Sequence, residues 1–326
     1  MNILVTGGSG FIGTNLIEKL IALPFYTIIN IDNAKPKIDS HLKHWKECDI
    51  LDSNQVNQVF NFFKPEIVIH LAARTDTDPN TKIEDYIVNT QGSSNIIKAI
   101  KQTKAVKLAI MTSTQFVNQY NGAPKHDEDY APHTIYGESK IIMEKEIRNA
   151  NLTCTWTIIR PTNIWGPWHI RYPYEFWKIV SKGLYFHPGN KPVIRSYGYV
   201  GNVVSQIIAI INSPYEKIHK QVLYVGDTPI DVFDWVNGFS INQIGKPVKV
   251  IPRFFLKALG IVGDILFLFK IKFPITSSRY KSMTHSNSVS MQKTFNLLGK
   301  PPYTLQQGIE ETVGWMKNYF PELIKR

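Results

Sequence analysis

The chain has 326 residues, 43% apolar and 19% charged, which excludes an intrinsically disordered protein and allows one large core or two modest ones. Its two cysteines, Cys48 and Cys154, exclude a disulfide framework, so a reducing cytoplasm is expected, and Met1 leads into the first strand with no signal peptide. The net charge of +11 suits an anionic partner such as a nucleotide, a diphosphate or an anionic membrane surface.

In chain order, Ile3-Leu4-Val5 reads as a strand, Thr6-Gly7-Gly8-Ser9-Gly10-Phe11-Ile12-Gly13 as a glycine turn, and Phe11 to Leu23 as an amphipathic helix. Glycines three apart, Gly7, Gly10 and Gly13, let the backbone turn tightly, approach a pyrophosphate and pack the helix on the strand. The helix would offer its N-terminal N–H groups and positive dipole end to the phosphates. A second strand spans 27–31 and ends at Asp32, where a carboxylate binds an adenosine ribose diol and repels a 2′-phosphate. Asn33, rather than Arg or Lys, follows, so NAD is favoured over NADP.

The pattern then predicts a helix over 53–62 with Ser53 as its N-cap, a buried strand at 66–71, and a long amphipathic helix at 84–101. A strand at 106–112, a helix from Tyr136 to Ala150 and a strand at 155–159 continue the alternation, which implies a parallel sheet with helices on both faces. Residues 162–200, rich in Trp, Tyr, Pro and Gly, suit a loop-dominated lobe shaping a pocket. A helix at 202–212, a strand at 222–225 and a helix at 231–244 follow. No His/Cys group has metal-ligand spacing, and His41 and His44 are expected to be solvated. Neither a metal nor nucleic acid is expected as a partner.

Tyr136 and Lys140 stand four apart, one helical turn, so their side chains share a face. An ammonium beside the phenol is expected to lower its pKa and make it a usable general base. Thr112-Ser113-Thr114 follows an apolar strand, and a hydroxyl at a strand C-terminus can hydrogen-bond the reacting oxygen. From Lys246 to Lys293 nine Lys/Arg face one acid, Asp264, a net of +8, around the apolar runs 254–256 and 265–269. Charged residues break any span of about 20 apolar residues. An interfacial helix and a core helix of the lobe both remain open for 254–269.

These pieces, in this order, resemble an extended short-chain dehydrogenase/reductase of the NAD-dependent sugar epimerase/dehydratase group over nearly the whole chain. The carrying positions are Thr6 to Gly13, Asp32-Asn33, Asp49-Ile50, His70-Leu71-Ala72-Ala73, Asn89, Ser113-Thr114, Tyr136 with Lys140, and Arg160 to Pro167. The resemblance implies an α/β fold, a Rossmann-like doubly wound parallel sheet with a smaller C-terminal substrate-binding lobe. Its NAD-binding domain would span 1–163 with 198–228, and the lobe 164–197 and 229–326. Thr114, Tyr136 and Lys140 would be catalytic, with Tyr136 taking the proton of a sugar 4-hydroxyl. Gly7, Gly10, Phe11, Ile12, Gly13, Asp32, Asn33, Asp49, Ile50, Leu71, Ala72, Ala73, Asn89, Tyr136, Lys140 and Pro161 would hold NAD. Ser113, Thr114, Asn163 and Arg195 would hold a sugar-diphosphate substrate.

Gly201-Asn202 stands where similar enzymes carry Asp, and Gln115-Phe116 replaces the Asp-Glu pair of dehydratases, which disfavours dehydration. The tail and Tyr199 to Asn202 resemble the branch acting on undecaprenyl-diphosphate-linked N-acetylglucosamine. The implied activity is 4-epimerisation of a diphosphate-linked hexose or N-acetylhexosamine for cell-surface polysaccharide synthesis. A 4-keto-sugar reductase or a 3β-hydroxysteroid-type dehydrogenase is the alternative. The resemblance further implies a homodimer, and peripheral contact of 253–281 with the inner face of the plasma membrane.

Overall fold

Apolar runs without polar alternation are suited to a sheet covered on both faces, and here they build one seven-stranded parallel sheet. The computed structural model describes residues 1–118, 124–271, 273 and 275–324. Lys272, one of the nine cations, lies outside them. The strands are β1 (Asn2–Thr6), β2 (Thr27–Asp32), β3 (Trp45–Glu47), β4 (Ile67–His70), β5 (Leu108–Thr112), β6 (Thr155–Pro161) and β7 (Gln221–Val225), in spatial order β7-β6-β5-β4-β1-β2-β3. Thr6 pairs with Ile31 on one side and His70 on the other. Strand order therefore reverses at β1, and the loops after β1 and β4 leave from adjacent strand ends, where doubly wound sheets take up a ligand.

Helices α1 (Phe11–Ile21), α2 (Ser53–Phe63), α3 (Ser93–Gln102), α4 (Ile135–Asn149) and α5 (Val200–Ile211) cover the sheet. Leu4, Val68, Ala109 and Ile158 from the strands share one buried cluster with Phe60 of α2, Ile96 of α3 and Ile147 of α4. On α1, Leu16, Ile17 and Leu20 are buried, and α1 packs on α5. Two compact units result, the first comprising Met1–Ile164, Gly198–Asp227 and Ser290–Pro302, the second Trp165–Tyr197, Thr228–Val289 and the chain from Tyr303.

Three expectations are corrected. The N-cap of α2 is Asp52, not Ser53, because its carboxylate accepts the N–H groups of Asn54 and Gln55 at 2.9 and 3.1 Å. The helix expected over 84–101 is broken into a 3-10 turn (Ile83–Tyr86), a π turn (Val88–Gly92) and α3. At the break Asn89 is buried and its side chain is bound to the Arg74 backbone and to Ser139, so this stretch follows tertiary hydrogen bonds instead of its apolar period. His41 is not solvated: it is 1% exposed, with Nε2 2.6 Å from the Glu18 carboxylate. Strand β3 was not anticipated, being three residues long with two of them exposed.

Asn202 is accounted for in the first unit. Asp227 is half-buried and accepts the Tyr199 N–H and the Asn202 Nδ2–H, each at 2.7 Å. Burial pushes its pKa up to about 6. An Asp at 202 would set two carboxylates against each other, so the departure from the family pattern is compensated locally.

In the second unit several aromatic residues of the stretch 162–200 pack into core, while Tyr174 stays exposed. Trp177 stacks on Phe239 of α6 (Val232–Ile244) with ring centroids 3.6 Å apart, and Trp235 of α6 stacks on Tyr197 at 4.4 Å. The helices α7 (Arg253–Leu268), α8 (Ser277–Thr284) and α9 (Leu305–Tyr319) complete this unit, α9 beside α6 and α8 beside α7.

One ion pair fastens α4 to β6. Arg160 and Glu144 are both fully buried, with Nε–Oε1 at 2.8 Å and Nη2–Oε2 at 2.7 Å. The Tyr130 hydroxyl donates to Glu144 at 2.9 Å, and Arg160 also donates to the Asp127 carbonyl at 2.6 Å. Removing one member strands a buried charge, so Glu144→Ala is expected to lower stability by about 3–5 kcal/mol in chemical denaturation. A loss below about 1 kcal/mol, the range of exposed pairs, would contradict this role.

Candidate active site

The glycine loop is built for close approach. Gly7 has φ +72°, and a Cβ there would lie 2.6 Å from the Ala72 nitrogen; Cβ atoms at Gly8 and Gly13 would collide with the Asn30 side chain and the Gly7 carbonyl. Only at Gly10 is there more room, with nothing nearer than the Gly7 carbonyl at 3.1 Å. Gly10 is the N-cap of α1, which has no side-chain cap and no acid in its first turn, as an anion-binding helix end requires. Phe11, Ile12 and Gly13 form that first turn. Asp32, at the end of β2, accepts the Ser9 N–H at 3.0 Å and the Ala34 N–H at 2.9 Å, which holds its carboxylate beside the loop. Asn33 next to it is exposed. Lys37, not singled out from sequence, reaches the Ser9 carbonyl at 2.7 Å.

The other positions assigned to NAD lie in the same unit. Leu71 and Ala72 extend β4 by donating to the Thr6 carbonyl and hydroxyl at 3.0 and 3.1 Å, and Ala73 follows, half-buried. Asp49 caps its own turn through Leu51, and buried Ile50 lies under Gly92, where a Cβ would stand 2.7 Å from it. Asn89 acts through the backbone: its Oδ1 accepts the Arg74 N–H and its Nδ2 reaches the Arg74 carbonyl and Ser139. Pro161 closes β6, buried, and Asn163 is half-buried two residues on.

Thr114, Tyr136 and Lys140 are all buried. The Thr114 side chain lies close enough to the Tyr136 hydroxyl to pull its pKa down, and it accepts the Phe116 N–H at 3.3 Å. What brings them together is Gly137, where any Cβ would collide with the Phe116 carbonyl. Thr134 caps α4 by accepting the Gly137 N–H at 3.0 Å. Tyr86 and Phe116 flank the Tyr136 ring with centroids at 6.3 Å. Sequence spacing alone does not reveal Tyr86, whereas Glu144, four residues beyond Lys140, was visible as the next step along the same helix face.

Burial governs the electrostatics. It pushes Tyr136 up to about 12, with Thr114 pulling down and Tyr86 adding to the rise. Lys140 is not among the groups that shift Tyr136, so the lowering expected from it is not found in the protein alone. Burial likewise brings Lys140 down to about 8, with Glu144 holding it up. His70 falls to about 3 through burial and the Lys140 charge, so it is a neutral imidazole between Thr6 at 2.7 Å and Ser93 at 2.9 Å.

At the carbonyl ends of β5 and β6 the buried hydroxyls of Thr112, Ser113 and Thr162 and the amide of Gln115 have no hydrogen-bond partner among the described residues. Buried polar groups are rarely left so, and a bound ligand would satisfy them. Together with the bare glycine cradle and the positioned Asp32, they fit a dinucleotide with a polar substrate. Arg195 belongs to the second unit. Its guanidinium donates to the Ser282 and His285 carbonyls, the latter at 3.3 Å.

Comparison with known proteins gives a match of residues 3–226 to the family described as NAD dependent epimerase/dehydratase. The chain is 29% identical to an N-acetyl-alpha-D-glucosaminyl-diphospho-ditrans,octacis-undecaprenol 4-epimerase of Escherichia coli O157:H7, over 96% of this chain and 94% of that protein. It is 28% identical to a UDP-glucose 4-epimerase of Vibrio cholerae, over 95% and 94%. Its fold superposes on a Bacillus cereus UDP-glucuronic acid 4-epimerase solved with NAD, at TM-score 0.76 and 19% identity, covering 98% of each chain.

A pH effect follows from Lys140. The folded protein releases its proton near pH 8 and the unfolded chain near 10.5, so the unfolded state holds more protons in that window and stability rises with pH across it. Below pH 8 both states are protonated and the contribution is flat. Denaturation curves of wild type and Lys140→Met should thus diverge in favour of wild type as pH climbs from 8 toward 10.5. Parallel curves through that window would contradict the burial argument.

Proposed function

Because the chain belongs to the NAD dependent epimerase/dehydratase family and is an NAD-dependent sugar epimerase of the extended short-chain type, we propose that it catalyses reversible 4-epimerisation of a hexose or N-acetylhexosamine carried on a diphosphate. The observation that carries this is the joint burial of Thr114, Tyr136 and Lys140, with Thr114 beside the Tyr136 hydroxyl and Lys140 one turn along. Tyr136 takes the proton of the sugar 4-hydroxyl, and Thr114 bonds the same oxygen. NAD, when bound, supplies the acceptor for the C4 hydride and a positive charge that favours phenolate. Lys140 adds its charge on the same helix face and holds the ribose, while Asp32 binds the adenosine diol. The resulting 4-keto sugar turns over and is reduced on its other face, so the reaction is redox-neutral. Gln115 has no carboxylate with which to drive dehydration.

The carrier we propose is a polyprenyl diphosphate, with the chain at the inner face of the plasma membrane and its product entering cell-surface polysaccharide synthesis. The relative named for that carrier supports this. So does the exposure of 254–269, which is at odds with the core-helix alternative. Arg195 is the proposed grip on the diphosphate, since a guanidinium pairs well with phosphate oxygens. A homodimer is proposed through the face of α4 and of the turns leading into α3 that bears the exposed Ile142 and Ile87.

Tyr136→Phe should keep NAD bound and lower turnover by about 10²–10⁴-fold, the usual contribution of a general acid–base. Offered UDP-N-acetylglucosamine and its polyprenyl-diphosphate counterpart in parallel, the wild type should convert the lipid form, read by chromatographic separation of the 4-epimers. Undiminished turnover in the variant would overturn the catalytic assignment, and conversion of the nucleotide form alone would overturn the carrier.

A further inference from the structure

Helix α7 keeps a narrow stripe inside and turns the rest outward. Its buried residues are Leu256, Gly260 and Gly263. A Cβ at 260 would stand 3.2 Å from the Ser277 nitrogen, and one at 263 would collide with the Ile275 carbonyl, so the stripe is bare to let residues 275–277 lie against the helix. The remaining surface is apolar and wet: ten large apolar residues between Phe254 and Ile271 are exposed, Leu268 to 79% and Phe267 to 72%. Exposed apolar residues are ordinary when scattered, but a contiguous patch of this size marks an interaction surface.

The charges around it are of one sign. Lys257 and Lys270, with Arg279 and Lys281 of α8, are exposed cations. The one acid of the segment, Asp264, is engaged in accepting the Ser277 N–H at 3.1 Å. Among the described residues no helix is long and apolar enough to cross a bilayer. A 16-residue helix with an apolar outer face and flanking cations instead fits the plane of a membrane interface.

We propose that α7 and α8 seat the protein on an anionic phospholipid bilayer, with Phe254, Ile265, Phe267 and Leu268 entering the acyl boundary and Lys257, Lys270, Arg279 and Lys281 meeting lipid phosphates. Charge complementarity selects a bilayer over a second copy of the chain, because a two-fold contact through this face would set the same cations against one another. Attachment stands on the surface itself. Its consequence, that sugars on membrane-borne carriers reach the site, rests on the function proposed above.

The test is co-sedimentation of the full chain with phosphatidylcholine vesicles with and without phosphatidylglycerol, at low and high salt. Binding should require phosphatidylglycerol and weaken with salt, as screening demands. It should fall by at least about tenfold in Phe267→Ser/Leu268→Ser and in Lys257→Glu/Lys270→Glu, both at exposed positions, with circular dichroism unchanged. Failure to sediment with anionic vesicles, binding indifferent to both pairs of substitutions, or self-association in light scattering that the apolar pair abolishes would overturn the proposal. Epimerase turnover of the unsubstituted protein separates the two readings: turnover without binding to anionic vesicles removes only the membrane surface, and binding without turnover removes only the activity.

Discussion

Any side chain at position 137 would collide with the carbonyl oxygen of Phe116, and the chemistry depends on that contact being bare. It lets the first turn of α4 sit directly on the turn that follows β5, which brings the Tyr136 hydroxyl to Thr114. A helix then fixes everything else on its face by phase: Lys140 one turn on, Glu144 one turn further. Glu144 is locked to Arg160 of β6, so the helix is held at its start by a steric contact and a hydroxyl cap and in its middle by a buried ion pair. The ion pair lies where water is excluded, which makes it strict about geometry.

Burial opposes charge throughout this site. Tyr136 is raised, Lys140 lowered and His70 kept neutral by the same desolvation, and only the Glu144 carboxylate supports the Lys140 cation from within the protein. A phenol in that state is a poor base by itself. In the proposed reaction its activation comes with a ligand that brings positive charge, which would couple catalytic competence to cofactor occupancy. The unpartnered hydroxyls of Thr112, Ser113 and Thr162 belong to the same logic, since they are polar groups placed where a bound molecule would complete them.

Much of this was legible in the sequence because it depends on local pattern. The strands, the glycine loop, Asp32 and the Tyr136–Lys140 spacing are short-range features, and each appears in the structure where its period put it. What was not legible depends on distant partners. His41 is buried because Glu18, on another element, receives it, and the helix read over 84–101 breaks because Asn89 answers to Arg74 and Ser139. The stretch 162–200 read as a loop-dominated lobe shaping a pocket because composition does not distinguish a ring that lines a cavity from one stacked on Phe239. Asn202 looked like a defect in a family motif until Asp227 appeared beside it. The two readings of 254–269 could be parted only by exposure, since apolar helical periodicity is the same for a core face and for an interfacial one.

In the proposed reaction the sugar hydrogen at the reacting carbon leaves and returns within one enzyme-bound cycle while Tyr136 handles only the hydroxyl proton. Epimerisation of substrate carrying deuterium at C4, run in ordinary water and followed by mass spectrometry and proton NMR of the product, reads this out. The 4-epimer should keep its deuterium at C4 with no net oxidation. Loss of the label to solvent would contradict it.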